Sequence, residues 1–179
     1  MWAQFTWGVA VGQHGIGAKL KEVSIDGMQD HFGRTDWTVQ DLFTLGNPPL
    51  RREIKAVAFG SFLHMVQDSF AKGHTDRAEP LQGRKCDVVV QFAAPGIIRS
   101  FRAYNNQDSG KHGESDSRNA FSAHWSVDRP SVVEIGQVFL AFFERSASWQ
   151  EIKPYVECVF AVEDPNARAS AGAGFLKNR

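Results

Sequence analysis

The sequence predicts a mostly α-helical fold. Two long runs, residues 50–71 and 133–143, place apolar side chains at helical spacing. Ser131 and Ser148 each precede a glutamate by three positions, and this capping-box pattern indicates the start of a helix. With 179 residues and 42% hydrophobic content, the chain can bury the core that such helices need.

The charge balance is even, with 20 basic and 20 acidic residues. Nucleic-acid-binding proteins usually carry a basic surplus, so the net charge gives no general support for that class. No apolar stretch is long enough to span a bilayer. Residues 1–10 lack the basic start of a signal peptide, so the compartment stays open, and secretion or delivery as an effector remain alternatives.

The first quarter of the chain predicts an extended segment followed by short helices. From Phe5 to Val11, apolar residues alternate with polar or small ones, which predicts a strand or an extended arm. Residues 19–32 predict a helix interrupted by Gly27. A turn over 33–37 and a short helical or irregular segment over 38–45 follow.

The clearest helix signal lies in the middle of the chain. Asn47-Pro48-Pro49 indicates a helix start, the apolar face runs from about residue 50 to 71, and Gly73 indicates the end. A loop over 75–84, a short strand over 87–92 and a helix over 96–104 are predicted next.

The second half predicts further helices over 116–125 and 133–143, and one over 155–162 with Pro154 in or near its first turn. We predict a single helical domain over residues 1–165 and a loosely held tail over 166–179. Cys86 and Cys158 lie far apart in sequence, and two free thiols are favoured over one disulfide.

Two histidine–aspartate pairs carry the functional signal. His64 and Asp68 are four residues apart in the central helix, so both leave one face, and Gly60 leaves room one turn earlier. His112 and Asp116 repeat this spacing. An imidazole and a carboxylate on a core-facing helix are costly to bury unless they are paired or bind a metal. The pattern predicts a zinc-type site, whereas the ordinary alternative is a simple hydrogen-bonded pair.

The segment from Phe62 to His74 resembles the zinc-binding helix of the bacterial zinc-dependent phospholipases C and of the single-strand-specific zinc nucleases. In both groups a histidine and an aspartate one turn apart precede a second histidine, and a downstream histidine precedes an acidic residue by four. The resemblance implies a phospholipase C-like helical bundle with two or three zinc ions. It further implies that His64 and Asp68 bind one ion, that Asp68 bridges to a neighbour, and that His74, His112 and Asp116 hold another.

The family also has upstream ligands. His31 is the best candidate for the upstream histidine, and Asp26, Asp30 and Asp36 are unranked candidates for the upstream acid. The family's N-terminal tryptophan, with a histidine soon after, would correspond to Trp2 or Trp7 followed by His14. Packing for His31 and solvation for His14 are the ordinary alternatives, and His124 is interpreted as structural.

The resemblance implies a phosphodiester hydrolase in which zinc activates a water molecule. Asp68 is the predicted catalytic carboxylate at the metal, and Asp36, Asp108 or Asp30 are unranked candidates for a general base. Phospholipid at a membrane surface is the favoured substrate, because the neutral charge slightly disfavours nucleic acid. The aromatic residues that could line a lipid rim, stack on bases or simply form core are Trp2, Phe5, Trp7, Trp37 and Phe43. The alternatives are a single-strand nuclease, a secreted effector or toxin domain on the same fold, and a non-catalytic module with a structural metal.

Overall fold

The computed structural model describes residues 1–87, 92–120 and 130–177. About half of the chain is helical and the named strands form one two-stranded sheet, which agrees with the mostly-α prediction. The chain divides into two compact units, Met1–Met65 with Leu140–Glu151 and Val66–Phe139 with Ile152–Arg179. None of the helices described is long and apolar enough to cross a membrane.

The elements follow one another in this order. The helices are α1 (Trp2–Ala10), α2 (Met28–Phe32), α3 (Val39–Thr44), α4 (Ile54–Asp68), α5 (Ser109–Ser115), α6 (Val132–Glu144) and α7 (Trp149–Val159). Short 3₁₀ turns cover Leu20–Glu22, Pro48–Glu53 and Ala173–Phe175. Strands β1 (Thr75–Arg77) and β2 (Ile98–Phe101) pair antiparallel, with Thr75 opposite Phe101.

The predicted N-terminal strand is wrong, because the segment forms helix α1. Every residue from Phe5 to Ala10 is buried, including Thr6 and Gly8, so the alternation does not separate a core side from a solvent side. The hydroxyl of Thr6 donates to the carbonyl of Trp2 at 2.9 Å, which satisfies it inside the helix. A helix buried all round shows no amphipathic period for sequence reasoning to detect.

The short segments of the first unit agree only in part with the predictions. The helical segment predicted over 38–45 is confirmed as α3, which Thr38 and Asp41 cap reciprocally. The helix predicted over 19–32 is reduced to a 3₁₀ turn and α2, because Gly27 adopts a φ of 84° before Met28. That left-handed backbone suits glycine and ends a continuous helix.

The central helix is shorter than predicted at both ends. It begins at Ile54 after the 3₁₀ turn, and it ends at Asp68 rather than near residue 71. Just past its end, the carbonyl of Ser69 accepts from Nε of Arg77 at 2.9 Å instead of continuing the helix. His64 is exposed, so the argument that a core-facing helix buries this imidazole is wrong.

Arg77 is a half-buried cation that donates to several backbone carbonyls of the second unit. Besides Ser69, its guanidinium donates to the carbonyls of Gly96 at 2.7 Å and Val159 at 3.0 Å, and it lies 4.2 Å from the ring centre of Phe70. Burial lowers the pKa of Arg77 to about 10. These hydrogen bonds connect the end of β1 to the residue after α4 and to the end of α7.

The helix predicted over 96–104 is also wrong, since residues 98–101 form β2. Ile98 is fully buried and Arg99 is exposed, which is strand-like alternation. A Cβ atom on Gly96 would collide with the carbonyl of Ala78, so only glycine fits where the chain enters this strand. Most of the strand predicted over 87–92, half of the helix predicted over 116–125, and His124 lie outside the described residues.

Both predicted capping boxes are confirmed. The backbone N–H of Ser131 donates to Oε2 of Glu134 at 2.7 Å, and that of Ser148 donates to Oε2 of Glu151 at 2.7 Å. The return bonds to the two serine hydroxyls are both 3.3 Å. Helix α7 therefore begins at residue 149, earlier than predicted, and Pro154 lies inside it.

The prediction of two free thiols is wrong, because Cys86 and Cys158 form a disulfide. Their Cα atoms are 5.5 Å apart although 72 positions separate them in sequence. Cys158 belongs to the last turns of α7, and Cys86 pairs through its backbone N–H with the carbonyl of Phe92. The tertiary placement of α7 makes this pairing, and the spacing of the cysteines does not reveal it.

Candidate metal centre

Three of the predicted ligands come together in the second unit. His74, His112 and Asp116 each offer one ligand atom, and these atoms all lie within 4.8 Å of one another. Oδ2 of Asp116 is 3.1 Å from Nε2 of His112 and 3.4 Å from Nε2 of His74. Four ligands bound tetrahedrally to zinc at about 2.0–2.1 Å lie roughly 3.3 Å apart, which these two distances match.

Two neighbouring elements position the three side chains. His112 lies in α5 and Asp116 follows its end, so their spacing of four residues places both on one side. His74 lies between α4 and β1, where its backbone N–H donates to Ala71 and its carbonyl accepts from Arg102. The side chain of His112 is only 6% exposed, whereas those of His74 and Asp116 are 22% and 35% exposed. The group therefore has a buried base and a side open to solvent.

Gly73 allows the two histidines to approach each other. A Cβ atom at this position would collide with Oγ of Ser115 and lie 2.9 Å from Nδ1 of His112. The backbone N–H of Gly73 donates to Oγ of Ser115 at 3.0 Å, and that oxygen lies 3.2 Å from Oδ1 of Asp116. The ring centres of His74 and His112 are consequently 4.6 Å apart.

A side-chain amide behind His112 defines which ring nitrogen carries the proton. Oε1 of Gln107 lies 2.7 Å from Nδ1 of His112, and the amide NH₂ of Gln107 donates to two backbone carbonyls. The oxygen can only accept, so Nδ1 is the donor and the neutral ring keeps a lone pair on Nε2. Histidines that bind metals commonly donate their other N–H to such a carbonyl.

The remaining nitrogen of His112 is the strongest sign of a cation site. Within the described residues Nε2 is buried and makes no hydrogen bond, although Oδ2 of Asp116 is 3.1 Å away. Buried polar atoms are almost always satisfied, so a nitrogen without a hydrogen bond beside a carboxylate oxygen calls for another partner. A positive ion held by His112, Asp116 and His74 would satisfy all three, so the residues fit a metal ion.

Asp68 is close to this group, whereas His64 is not part of it. Oδ1 of Asp68 is 3.8 Å from Nε2 of His74, and the Asp68 side chain is 30% exposed. His64 lies one turn earlier in α4, is exposed, and belongs to the first unit. The ligand role of His64 and the catalytic role of Asp68 both stay predictions.

The upstream histidines lie in the first unit and outside the three-residue group. The imidazole of His14 packs on Gly8, with its ring centre 5.9 Å from that of Phe5, and burial lowers the pKa of His14. His31 is exposed at the end region of α2. Their roles as ligands of further zinc ions stay predictions.

The two candidate bases Asp36 and Asp108 have structural partners. Asp36 accepts from Lys21 at 2.8 Å and from Lys19 at 3.4 Å, and these hydrogen bonds lower the pKa of Asp36. Asp108 caps α5, where Oδ1 accepts the backbone N–H groups of Gly110 and Lys111. A carboxylate with a lowered pKa is a weaker base, so Asp36 gains no support as a catalyst from its surroundings.

Most aromatic residues considered for a substrate rim belong to the core of the first unit. Phe5 and Trp7 are fully buried, and the ring of Trp2 lies 6.4 Å from that of Phe43. Trp37 is the member of that set with substantial exposure, at 47%. The interpretation as core is confirmed for Phe5 and Trp7.

Sequence reasoning missed Gln107, Ser115 and Tyr104 at this site. The ring of Tyr104 lies 4.2 Å from that of His112, yet Tyr104 is 66% exposed. Tyr104 therefore presents an exposed aromatic ring beside the candidate ligand His112. None of the three stands at a sequence spacing typical of metal ligands. Ser115 directly precedes the predicted ligand Asp116, and this proximity is the sign by which the sequence could have indicated it.

A depression of about 460 Å³ is lined by Ser115, the residue that precedes Asp116. Its other lining residues are Lys72, Lys111, Glu114, Ala120, Gly174 and Phe175. Its two lysines outnumber its one glutamate, which favours anionic ligands.

Comparison with protein-family models, with curated proteins and with solved structures gives no match. The resemblance to the zinc-dependent phospholipases C therefore depends on the residues quoted for it.

Proposed function

We propose that this chain is a metal-dependent hydrolase of phosphate esters, with zinc as the metal, on a helical fold of the zinc-dependent phospholipase C type. The observation that carries the proposal is the cluster of His74, His112 and Asp116, in which a buried imidazole nitrogen lacks a hydrogen bond. Two histidines and one carboxylate are a ligand set of catalytic zinc sites, which keep a further position for water or substrate.

Each residue of the cluster has its own role in this proposal. His112 and His74 offer neutral nitrogens and Asp116 offers a negative oxygen, so the set holds a doubly charged ion without a large net charge. When bound, zinc lowers the pKa of a coordinated water to about 7 and stabilises charge on phosphate oxygens. In this proposal Lys72 and Lys111, which line the depression beside Ser115, attract the phosphate. Asp68, whose Oδ1 is 3.8 Å from Nε2 of His74, would orient the attacking water or bind a second ion.

The substrate that we favour is a phospholipid head group, because the neutral net charge slightly disfavours nucleic acid. Single-strand nuclease activity and an effector that acts on another phosphate ester stay as alternatives. The experiment is to count metals by elemental mass spectrometry in the parent and in His112→Ala, with Gln137→Ala, on the exposed side of α6, for comparison. We expect zinc in the parent, the loss of about one equivalent in His112→Ala, and no loss in Gln137→Ala, because one ion needs the three-ligand set.

Hydrolysis is then measured on phosphatidylcholine vesicles and on single-stranded DNA, before and after removal of metal by a chelator. Activity that disappears with the metal and returns with added zinc supports the proposal, and the better substrate decides between lipid and nucleic acid. A parent protein that binds no metal, even with zinc supplied, overturns the proposal.

A structural metal is the second candidate, and Asp68 is the observation that favours it. With Oδ1 of Asp68 only 3.8 Å from His74, a small shift would supply a fourth protein ligand, which is typical of structural zinc. The variant Asp68→Asn separates the two. If the variant keeps its fold and loses hydrolysis, the metal is catalytic. If the variant loses zinc together with much of its thermal stability, the metal is structural.

A further inference from the structure

Gln107 connects the candidate metal centre to the C-terminal segment of the chain. Its side chain is buried, with 5% of the residue exposed. The amide nitrogen donates to the carbonyl of Gly73 at 2.9 Å and to that of Ala171 at 3.0 Å, while the amide oxygen faces Nδ1 of His112 at 2.7 Å. All the polar atoms of this side chain therefore have a partner.

These contacts allow one orientation of the amide. If the group were rotated by 180°, its oxygen would face the carbonyls of Gly73 and Ala171, and its NH₂ would face the histidine. Two buried contacts between acceptors cost more free energy than the hydrogen bonds now present. The carbonyl of Ala171 thus takes part in deciding that an oxygen faces His112.

We infer that Gln107 is a positioning residue for the metal centre, and that the segment Ser170–Lys177 sets metal affinity through it. The inference rests on the proposed function. The oxygen of Gln107 keeps the proton of His112 on Nδ1, which leaves Nε2 as the ligand atom. Without that acceptor, the neutral ring can place its proton on Nε2, where the carboxylate of Asp116 is 3.1 Å away, and metal binding must then displace it.

The C-terminal segment is attached at several points near Gln107. The backbone N–H of Ala103 donates to Ser170, that of Asp108 donates to Phe175 at 2.7 Å, and Nζ of Lys111 donates to Leu176 at 2.9 Å. The guanidinium of Arg102 also lies 4.7 Å from the ring centre of Phe175. These bonds fix the carbonyl of Ala171 where the amide of Gln107 meets it.

The test compares four variants for zinc affinity by competition with a chelating dye. Gln107→Met removes the amide but keeps the length of the side chain, and the exposed Gln137→Met is its matched control. A truncation after Arg168 removes the C-terminal segment, and Phe175→Ala loosens it if the truncated chain does not fold. We expect Gln107→Met to weaken zinc binding roughly 10- to 100-fold, as the loss of a residue that hydrogen-bonds to a metal ligand does, and Gln137→Met to leave it unchanged.

A second measurement follows the proton directly. Nitrogen-15 NMR of the metal-free protein at mildly alkaline pH distinguishes the two neutral forms of His112. We expect the Nδ1–H form in the parent and in Gln137→Met, and a shift toward the Nε2–H form in Gln107→Met and in the tail variants. Because a solvated neutral histidine also favours the Nε2–H form, the shift is interpreted only in variants whose circular dichroism and metal-free melting temperature match those of the parent.

The outcomes separate this inference from the proposed function. If Gln107→Met keeps both the Nδ1–H form and the affinity of the parent, the role of Gln107 is overturned. If the folded tail variants keep both, the role of the C-terminal segment is overturned. If the parent binds no zinc, the proposed function fails, while the NMR measurement still decides whether Gln107 fixes the proton.

Discussion

Nε2 of His112 lies 3.1 Å from Oδ2 of Asp116, yet it makes no hydrogen bond within the part of the chain that the structure describes. Because Gln107 holds the proton of the neutral ring on the other nitrogen, both atoms are acceptors at this distance. A metal ion turns this unfavourable contact into a pair of ligands. The relationship therefore predicts opposite effects on the metal-free and the metal-bound protein.

The variant Asp116→Asn tests that relationship. The amide NH₂ of the new side chain can donate to Nε2 of His112, so we expect the metal-free protein to be as stable as the parent or up to about 1 kcal/mol more stable. Zinc should stabilise the variant much less than the parent, because stabilisation by a ligand grows with its affinity. Thermal unfolding with chelator and with excess zinc measures both effects, and a destabilised metal-free variant would contradict the prediction.

Gly73→Ala should disturb the centre without changing a ligand. The added methyl group would collide with Oγ of Ser115 and lie 2.9 Å from Nδ1 of His112, so His112 must move. We expect a loss of roughly 1–3 kcal/mol in the free energy of unfolding, typical of overpacking, together with weaker zinc binding.

Gly113→Ala is the matched control, since it lies beside His112 in α5 with no atom within 4 Å of the added Cβ. It should stabilise the helix by about 0.5–1 kcal/mol and leave zinc binding intact. Denaturant unfolding and zinc titration of the two variants give the comparison. Equal behaviour of the two alanines would show that Gly73 is not needed for the approach of His112.

The features predicted correctly are those that depend on residues close together in sequence. Capping boxes at Ser131 and Ser148 depend on four consecutive residues, so the sequence contains all the information, and both were predicted correctly. Helix α1 was missed because its surroundings bury the whole segment from Phe5 to Ala10. Strand β2 pairs with β1, whose residues lie more than 20 positions earlier in the sequence. The local pattern of β2 therefore does not predict this strand.

The candidate site likewise has a part that depends on local sequence and a part that depends on residues distant in sequence. The spacing of His112 and Asp116 is local, and the structure places the two side chains within 3.1 Å. Gln107 contributes through its buried contacts with Gly73 and Ala171, which are distant in sequence. No spacing rule identifies an amide that orients a histidine, so this part of the site needed the structure.

The capping carboxylate of Glu151 predicts a pH dependence. Hydrogen bonds from the backbone of Ser148 and from Arg145 lower the pKa of Glu151 from 4.5 to about 2. A carboxyl group whose pKa is lower in the folded state stabilises the protein above its unfolded pKa, and this contribution is lost as the pH falls toward the folded pKa. Glu151→Gln should therefore lower the melting temperature at neutral pH, and the difference should shrink between about pH 4.5 and pH 2.

Glu157→Gln is the control for that series, because Glu157 is exposed in the same helix and its carboxylate lies 3.6 Å from Nζ of Lys153. Exposed pairs of this kind contribute little to stability. Its melting temperature should follow that of the parent across the pH range. A difference for Glu151→Gln that does not change with pH would mean that the carboxylate charge plays no part in the cap.

The disulfide between Cys86 and Cys158 should contribute strongly to stability. It closes a loop with a sequence separation of 72 residues, and restricting the unfolded chain by a loop of this size stabilises the folded state by about 4 kcal/mol. For a chain of this length, that corresponds to a fall of roughly 8–16 °C in melting temperature when the bond is removed. The measurement compares the oxidised parent with the parent unfolded and refolded in a phosphine reductant.

The double variant Cys86→Ala, Cys158→Ala distinguishes the bond from the thiols themselves. Free thiols bind zinc, so all samples are measured with a chelator present, which removes any contribution of metal to the unfolding free energy. We expect the double variant and the reduced parent to melt at similar temperatures, both well below the oxidised parent. If reduction leaves the melting temperature unchanged, either the bond does not form in solution or it does not constrain the unfolded chain, and labelling of the thiols before reduction decides which.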